Sequence, residues 1–398
     1  MNKHIIAVAI LLISMSFSVS GQDTVKEEGY LFTVIKENAA SPVKDQHKSG
    51  TCWSFAATSF IESELLRAGN DTLDLSEMFF VHHAYTDKAN RFVRLHGSAN
   101  FGPGGQAHDV LNIVKKYGFA TETTYPGLIR GEEKHKHSEL DKTLKAYLDA
   151  VIDNKEGKLS QVWPDAFEAI LSAYLTPLPT HLTLGGKEVT PIEFAKNSGF
   201  DPDDYIELTS YSHHPFYSKF ELEIPDNWSH DLYYNVPADE LIEVMNYAIE
   251  KGFTVCWDGD VSDKGFSHSN GVAVIPEKEL SGMDGTERSR WEKLTDREKN
   301  AELYSFKSPG TEKKISAAMR QEAFDSYQAT DDHLMHITGL VKDQNGTLYY
   351  KTKNSWAGDS NKSGGYLNMS EAYVKLNTTA ILIHRNALPA GIKKKLGI

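Results

Sequence analysis

Apolar and small residues recur at helical spacing in the segment that follows Cys52. The positions on this stripe are Phe55, Ala56, Ser59, Phe60, Ser63 and Leu66. Intervals of three and four residues are typical of one buried face of an α-helix. Arg67 would lie in the last turn, and Gly69 stands where a helix often stops. The pattern predicts a helix that begins at Cys52, directly after a turn of small residues.

Similar patterns divide the rest of the chain into a helical first part and a β-rich second part. Ser76 is placed to cap a second helix, and a third is predicted over 107–117, closed by Gly118. Further helices are predicted over 139–150, 165–173 and 238–251, and from Pro191 with Thr190 as its cap. Strands are predicted over 253–257, from His336, over 348–354 and over 380–384, with a hairpin turn at Asn345-Gly346. This order of elements predicts the α+β class.

The N-terminal residues have a pattern of their own. Lys3 and His4 precede an apolar run over 5–12, which continues more weakly to residue 19 and ends in small residues at Ser20 and Gly21. This predicts a cleaved secretory signal peptide over 1–21, and therefore a secreted or periplasmic protein. The alternative is an uncleaved anchor, although the run is short for a membrane span.

Charge and cysteine content narrow the function classes. The chain has 42 basic and 55 acidic residues, a formal net charge of −13. This argues against nucleic acid and anionic membrane surfaces as partners. Only two cysteines are present, so a disulfide framework is excluded. Cys256 lies in a predicted strand and is expected to be a buried core residue.

Four residues have the side-chain chemistry that catalysis by a cysteine nucleophile requires. Cys52 at a helix N-terminus would have its thiolate favoured by the helix dipole. The Gln46 amide could donate to a nearby oxyanion. The predicted hairpin places His336 and Asn354 on neighbouring strands, where an imidazole would take the thiol proton and an amide would orient the ring. Trp356 would shield that pair from water. The structural alternatives are a small core Cys, a core His and a turn Asn.

Other clusters carry weaker signals. His82 and His83 are adjacent and share no helical face, so no metal site is predicted there. The turn Gly104-Gly105 before a helix lacks the context of a phosphate loop, and contact of its backbone with a bound peptide is the better interpretation. Thus Gly104 and Gly105 are candidate substrate-binding residues, and neither a cofactor nor a metal is expected. His333 is the nearest rival to His336, three residues away.

These motifs resemble known families. Gly50-Thr51-Cys52-Trp53 with Gln46 upstream, and Asn354-Ser355-Trp356 downstream, resemble the signatures of papain-like cysteine peptidases. The run from Gly104 to Gly118 resembles the bleomycin hydrolase or aminopeptidase C branch. The resemblance implies Cys52 as nucleophile, His336 as base, Asn354 as its orienting group and Gln46 in the oxyanion hole.

The resemblance also implies an architecture. A helical domain would carry the nucleophile, an antiparallel β-barrel-like domain would carry His336 and Asn354, and a large helical insertion would separate them. The boundaries are 1–21 for the signal peptide, 22–40 for an N-terminal arm, 41–127 for the helical half, 128–237 for the insertion and 238–398 for the β-rich half. The family often forms rings of six, which would imply a homo-oligomer.

Peptides are the substrates that this family implies, through an acyl-enzyme on the cysteine. In this branch a C-terminal arm enters the cleft and its carboxylate meets the substrate's free amine. Here residues 386–398 stop where that arm would begin and contain Lys393, Lys394 and Lys395. The sequence therefore leaves open an aminopeptidase, an endopeptidase, an acyl-transfer enzyme acting on other amides, and a catalytically idle relative that serves as a binding or scaffold protein.

Overall fold

A computed structural model describes residues 29–154, 157–278, 280 and 284–398. The predicted signal peptide lies outside the described residues. Within them the helices are α1 (Cys52–Arg67), α2 (Glu77–Arg94), α3 (Ala107–Tyr117), α4 (Ser138–Ile152), α5 (Trp163–Leu175), α6 (Pro191–Ser198), α7 (Ala238–Glu250), α8 (Gly285–Lys293), α9 (Asp296–Leu303), α10 (Ala317–Asp325), α11 (Glu371–Asn377) and α12 (Ala390–Leu396).

The strands of the described residues are β1 (Thr33–Glu37), β2 (Leu182–Leu184), β3 (Lys187–Val189), β4 (Tyr205–Thr209), β5 (Lys219–Glu221), β6 (Leu232–Asn235), β7 (Val255–Gly259), β8 (Phe266–Ser267), β9 (Val272–Ala273), β10 (His333–Lys342), β11 (Leu348–Lys353), β12 (Tyr366–Ser370) and β13 (Thr378–His384). Eleven of them form one sheet in the order β5-β6-β4-β13-β7-β10-β11-β12-β9-β8, with β1 also paired to β10. β2 and β3 form a separate hairpin.

The helices of the first half begin and end where their local sequence requires. The Ser76 side chain accepts a hydrogen bond from the Phe79 backbone N–H at 3.0 Å and caps α2, as predicted. Thr190 and Glu193 form a capping box at the start of α6, with Pro191 at its first position. α1 is buried on nearly all sides, from Trp53 to Leu65. It is therefore the central helix of the first hydrophobic core.

The sheet differs from the barrel-like domain that the family resemblance implied. Its described strands form an open sheet that ends in β5 on one side and β8 on the other. The sheet is mixed, because β4 pairs with β6 and β9 with β12 in parallel. The terminal strands β5 and β8 are three and two residues long. Closing a barrel would require the two outermost strands to pair along their length. Such short end strands give little backbone for that pairing.

A second core covers the other face of the sheet. It joins α7, α11 and α12 to the central strands β7, β10 and β13. Leu334 on β10, Cys256 on β7 and Leu382 on β13 belong instead to the first core, around α1. The sheet thus lies between the two cores, and α1 packs against β10.

The predicted insertion and the charged stretch after β9 have distinct structures. The span 128–237 contains helices α4, α5 and α6, but its last part forms β4, β5 and β6, which extend the main sheet beside β13. The charged stretch after β9 contains α8 and α9, which bury a single side chain between them, Trp291. This agrees with the solvated segment that its charge pattern predicts.

Candidate active site

Cys52 is the first residue of α1, as predicted. The side chain of Thr51, which precedes it, does not cap the helix and instead contacts the Ser49 hydroxyl at 2.6 Å. The first backbone N–H groups of a helix lack intrahelical partners, so those of α1 remain available to an anion. The Leu334 backbone N–H favours the ionised thiol of Cys52 and acts to lower its pKa. The thiol therefore lies near the first residues of β10, against which α1 packs.

The histidine that contacts Asn354 is His333. The prediction that His336 pairs with Asn354 is therefore wrong. His333 Nε2 lies 2.8 Å from Asn354 Oδ1, and both residues are buried. The same amide oxygen accepts the Ser355 backbone N–H at 2.7 Å, which fixes the orientation of the Asn354 side chain. His333 Nε2 therefore carries the proton and donates it to Asn354. The other ring nitrogen, Nδ1, is left as the acceptor for a thiol proton.

The change of histidine follows from a β-bulge in β10. Near the hairpin turn Val341 pairs with Tyr349, and the same register continued along the strand would place His336 opposite Asn354. The register shifts between Ile337 and Gly339, so His336 pairs with Lys353 instead. A shift of one residue exchanges the two faces of a strand. Asn354 is consequently turned away from His336 and reaches His333.

His336 instead belongs to the packing between α1 and the sheet. Its Nδ1 contacts the Ser59 hydroxyl at 2.8 Å, and its ring packs edge-on against Phe60. Lys353 donates to Ser59 at 2.7 Å and to Ser41 at 3.0 Å. Burial, followed by the nearby Lys353 ammonium, holds the pKa of His336 well below its usual value. His336 is therefore a neutral core histidine.

Gln46 lies next to the Asn354 end of β11. Its backbone N–H donates to the Ser355 carbonyl at 2.8 Å, and its side-chain Oε1 accepts a short hydrogen bond from the Ser355 hydroxyl. Because the carbonyl end of the amide is held in this way, the Nε2 end is the one that faces a prospective ligand. The backbone bridge between Asp45 and Trp356 joins the same two segments.

Trp356 packs against two imidazole rings, those of His333 and His268. Its ring centroid lies 4.9 Å from that of His333 and 5.0 Å from that of His268. His268 was not singled out by the sequence, because it lies in the turn between two very short strands and belongs to no motif. Its position beside Asn354 depends on the loop that follows Trp356.

The two glycines predicted to contact substrate lie under side chains of this chain. A Cβ at Gly104 would be 1.9 Å from the Asp226 carboxylate, and one at Gly105 would be 2.7 Å from the Asp109 carboxylate. The buried Lys88 ammonium donates to the Gly102 carbonyl at 3.1 Å and to the Gly104 carbonyl. Close internal packing thus accounts for both glycines, and peptide contact at this turn stays a prediction.

The charges around the thiol oppose its ionisation. Burial, followed by the carboxyl groups of Asp331, Asp258 and Asp226, raises the pKa of Cys52 to about 12, and the Leu334 N–H acts in the opposite direction. Burial also lowers the pKa of His333 to about 4, although Asn354 and Asp332 act against it. Each group alone is therefore neutral at pH 7. The charged form is favoured only when the thiolate and the imidazolium stabilise each other.

Among the described residues, His213, His214 and Glu223 have ligand atoms within 4.8 Å of one another. Each histidine Nε2 contacts one Glu223 oxygen, at 3.1 and 2.8 Å. The Gln321 side-chain oxygen is held by the Ser212 backbone N–H, so its Nε2 donates to His213 Nδ1 at 3.0 Å. The proton of His213 therefore lies on Nε2 and points at Glu223, which favours a hydrogen-bonded cluster over a metal site.

The part of the chain that the structure describes contains no helix long and apolar enough to cross a membrane. Both cysteines are free, and Cys256 is buried, as predicted.

Comparison with known proteins places this geometry in a family. The family model described as papain family cysteine protease matches residues 32–171, and that described as Peptidase C1-like family matches residues 285–397. The chain therefore belongs to the papain-like cysteine peptidases. The first match contains Cys52 and Gln46, and the second contains His333, His336 and Asn354.

Individual relatives identify the branch. Cysteine proteinase 1, mitochondrial, of Saccharomyces cerevisiae (strain JAY291) is 23% identical over 420 residues, which cover 93% of this chain and 80% of the relative. Aminopeptidase C of Listeria innocua is 25% identical over 395 residues, with 87% and 80% covered. The fold is similar to that of PepW from Lactobacillus rhamnosis HN001, with a TM-score of 0.68 at 18% identity and 92% and 84% covered. The chain falls in the bleomycin hydrolase and aminopeptidase C branch.

Proposed function

We propose that this peptidase hydrolyses peptide bonds through Cys52, His333, Asn354 and Gln46. The observation that carries the proposal is the 2.8 Å contact between His333 Nε2 and Asn354 Oδ1, at the end of β10 that lies near Cys52. His333 Nδ1 takes the thiol proton as sulfur attacks the substrate carbonyl. The Gln46 Nε2 group and the free N–H groups at the start of α1 stabilise the oxyanion.

The same imidazole completes the reaction. The imidazolium of His333 gives its proton to the leaving amine, which departs and leaves an acyl group on the Cys52 sulfur. Neutral His333 then activates a water molecule that attacks the thioester. Asn354 keeps the ring in one tautomer throughout without adding charge, and Trp356 covers the hydrogen bond between the two side chains.

Labelling and mutation of the nucleophile test this proposal. An epoxysuccinyl thiol inhibitor in reducing buffer should label Cys52 and abolish cleavage of a peptide library. Cys52→Ala should remove both signals while its circular dichroism spectrum stays that of the wild type. Cys256→Ala is the control, since that thiol is buried in the first core. Full turnover by Cys52→Ala would disprove the assignment.

We further propose that the enzyme prefers peptides with a free N-terminus, as an aminopeptidase does. Asn100 Nδ2 donates to the Pro225 carbonyl at 3.0 Å and to Asp226 at 3.2 Å, which anchors the Asp226 carboxylate against Gly104. That carboxylate is close enough to Cys52 to raise the pKa of its thiol. A carboxylate near the thiol would attract the ammonium of a substrate's free N-terminus.

A pair of matched peptides distinguishes this preference from endopeptidase action. The wild type should cleave a free peptide at least tenfold faster than its N-acetylated counterpart. Asp226→Asn should reduce that ratio, because the amide removes the negative charge but keeps the volume. Asp203→Asn, at an exposed ion pair with Lys115, is the control. Equal cleavage of both peptides by the wild type would leave an endopeptidase.

We also propose that residues 1–21 are a signal peptide that directs the protein to a secreted or periplasmic location. The support is the charged start, apolar run and small-residue end of the sequence. Mass spectrometry of the mature N-terminus tests this, and a retained Met1 on the exported or fractionated protein would contradict it.

A further inference from the structure

A second imidazole lies on the far side of Asn354 from His333. His268, in the turn between β8 and β9, is half-buried. Its Nδ1 lies 3.3 Å from Asn354 Nδ2. Asn354 is therefore held between two histidines, with its oxygen towards His333 and its nitrogen towards His268.

The hydrogen bonds around His268 fix its tautomer. Asn361 Oδ1 accepts the backbone N–H groups of Ser363 and Gly365 at 2.9 and 3.0 Å, so its Nδ2 is the end near His268 Nδ1, at 3.5 Å. Asn361 Nδ2 donates its two hydrogens to the His268 and Tyr366 carbonyls, both at 2.9 Å, so the donor that faces His268 Nδ1 is Asn354 Nδ2, which cannot accept. His268 Nδ1 is consequently an acceptor, and its proton lies on Nε2.

The other side of the ring is consistent with this tautomer. His268 Nε2 lies 2.8 Å from the Ser360 hydroxyl, which itself donates to the Ala357 carbonyl at 2.7 Å. The hydroxyl hydrogen is already used, so the oxygen accepts the Nε2 proton. His268 Nε2 thus donates to Ser360, and Ser360 donates to the Ala357 carbonyl. On the other side of the ring, Asn354 Nδ2 donates to His268 Nδ1. Neutral His268 satisfies every contact.

The arrangement opposes rotation of the Asn354 amide. If the amide turned over, its oxygen would face the lone pair of His268 Nδ1 and its nitrogen would face the His333 Nε2 proton. Both contacts would be repulsive. We propose that His268 is a positioning residue, which acts through Asn354 to keep His333 in the orientation and tautomer that accept the Cys52 proton. This inference rests on the proposed function of Cys52, His333 and Asn354.

Two substitutions separate this role from simple filling of space. In His268→Asn, the side-chain oxygen lies near the position of Nδ1 and keeps an acceptor for Asn354. In His268→Gln, the amide reaches the position of Nε2 and keeps the contact with Ser360, but the near acceptor is lost. His268→Gln should lower kcat about ten- to hundredfold with KM within about twofold, because catalytic groups lose their alignment. His268→Asn should stay within about threefold of the wild type.

A measurement without peptide keeps this inference separate from the proposed function. The rate of Cys52 alkylation by iodoacetamide at pH 7 reports the thiolate that His333 generates. It should fall in His268→Gln and not in His268→Asn, with melting temperatures of both variants within a few degrees of the wild type. Equal alkylation in all three proteins, or equal loss in both variants, would overturn the inference. If the wild type is alkylated rapidly but cleaves no peptide, the proposed function fails instead.

Discussion

At the scale of single residues, the register of β10 decides which histidine meets Asn354. Cys52, Gln46 and Asn354 lie in local motifs, so their neighbours in sequence are enough to identify them. The choice between His333 and His336 depends on which face of β10 meets Asn354. A bulge within β10 decides this, and its register shift leaves no local motif.

Matched glutamine substitutions test the corrected histidine. His333→Gln should lower kcat by about a thousandfold or more, because the amide does not accept the thiol proton. His336→Gln should keep kcat within about threefold and lower the melting temperature, because it alters a buried contact with Ser59. The measurements are steady-state kinetics and thermal unfolding. A thousandfold loss in a folded His336→Gln variant would restore the original prediction.

The carboxyl groups beside the thiol allow a prediction about pH. Burial, followed by the charge of Asp226, raises the pKa of Asp331 to about 7, and Asp331 in turn raises the pKa of Cys52. Above pH 7 the Asp331 carboxylate is charged and disfavours the thiolate. Asp331→Asn should therefore move the alkylation profile of Cys52 to lower pH, by about half a unit or more. The asparagine keeps an acceptor for the Gln106 side chain, which contacts Asp331 at 2.9 Å.

Asp325→Asn is the control for the loss of one negative charge. An alkylation profile that shifts equally in both variants would assign the effect to net charge and not to Asp331.

At the scale of elements, the sequence predicted helices better than strands. Helix ends carry local signals, such as Ser76 at α2 and the Thr190–Glu193 capping box at α6. The pairing of β4 and β6 with the main sheet has no such signal, because it depends on contacts between distant segments. The need for glycine at position 339 is likewise not evident from neighbouring residues in the sequence. A Cβ there would be 2.6 Å from the Lys36 carbonyl of β1, and this contact forms only in the folded sheet.

The interface between α1 and β11 contains a buried lysine that makes stability depend on pH. Burial lowers the pKa of Lys353 to about 8, although Glu62 and Glu77 act in the opposite direction. Between pH 8 and the unfolded value near 10.5, the unfolded chain binds the proton and the folded chain does not. The stability that this group contributes therefore rises with pH across that window and is lost as pH falls through 8.

Lys353→Met should remove this dependence. The free energy of unfolding of the wild type should increase relative to that of the variant from pH 8 to 10.5, by up to about 3 kcal/mol. Urea unfolding at several pH values measures the difference. Lys351→Met, on the same strand but paired with Glu37 near the surface, should show no such change. Parallel pH profiles for the wild type and Lys353→Met would contradict the assignment.

At the scale of the whole molecule, the two halves and the site between them follow from the order of elements, but the position of the C-terminal residues does not. Ile392 and Leu396 of α12 are buried in the second core. Lys395 forms an ion pair with Glu240 of α7 at 2.7 Å. The lysines that looked unsuited to a cleft are thus on a helix that packs elsewhere. The end of the chain adds stability to the core around α7.

Variants that weaken the packing of α12 distinguish a role of this helix in stability from a role in substrate binding. Leu396→Ala should lower the free energy of unfolding by about 2 to 4 kcal/mol, as expected for a buried leucine. A chain ending at Pro389 should be destabilised further. Both should still cleave free peptides faster than acetylated ones by the wild-type ratio at a temperature where they are folded. The reason is that α12 packs in the second core, and the proposed preference depends on Asp226. If removal of the tail selectively accelerated cleavage of acetylated peptides, the C-terminal residues would be the feature that restricts the cleft.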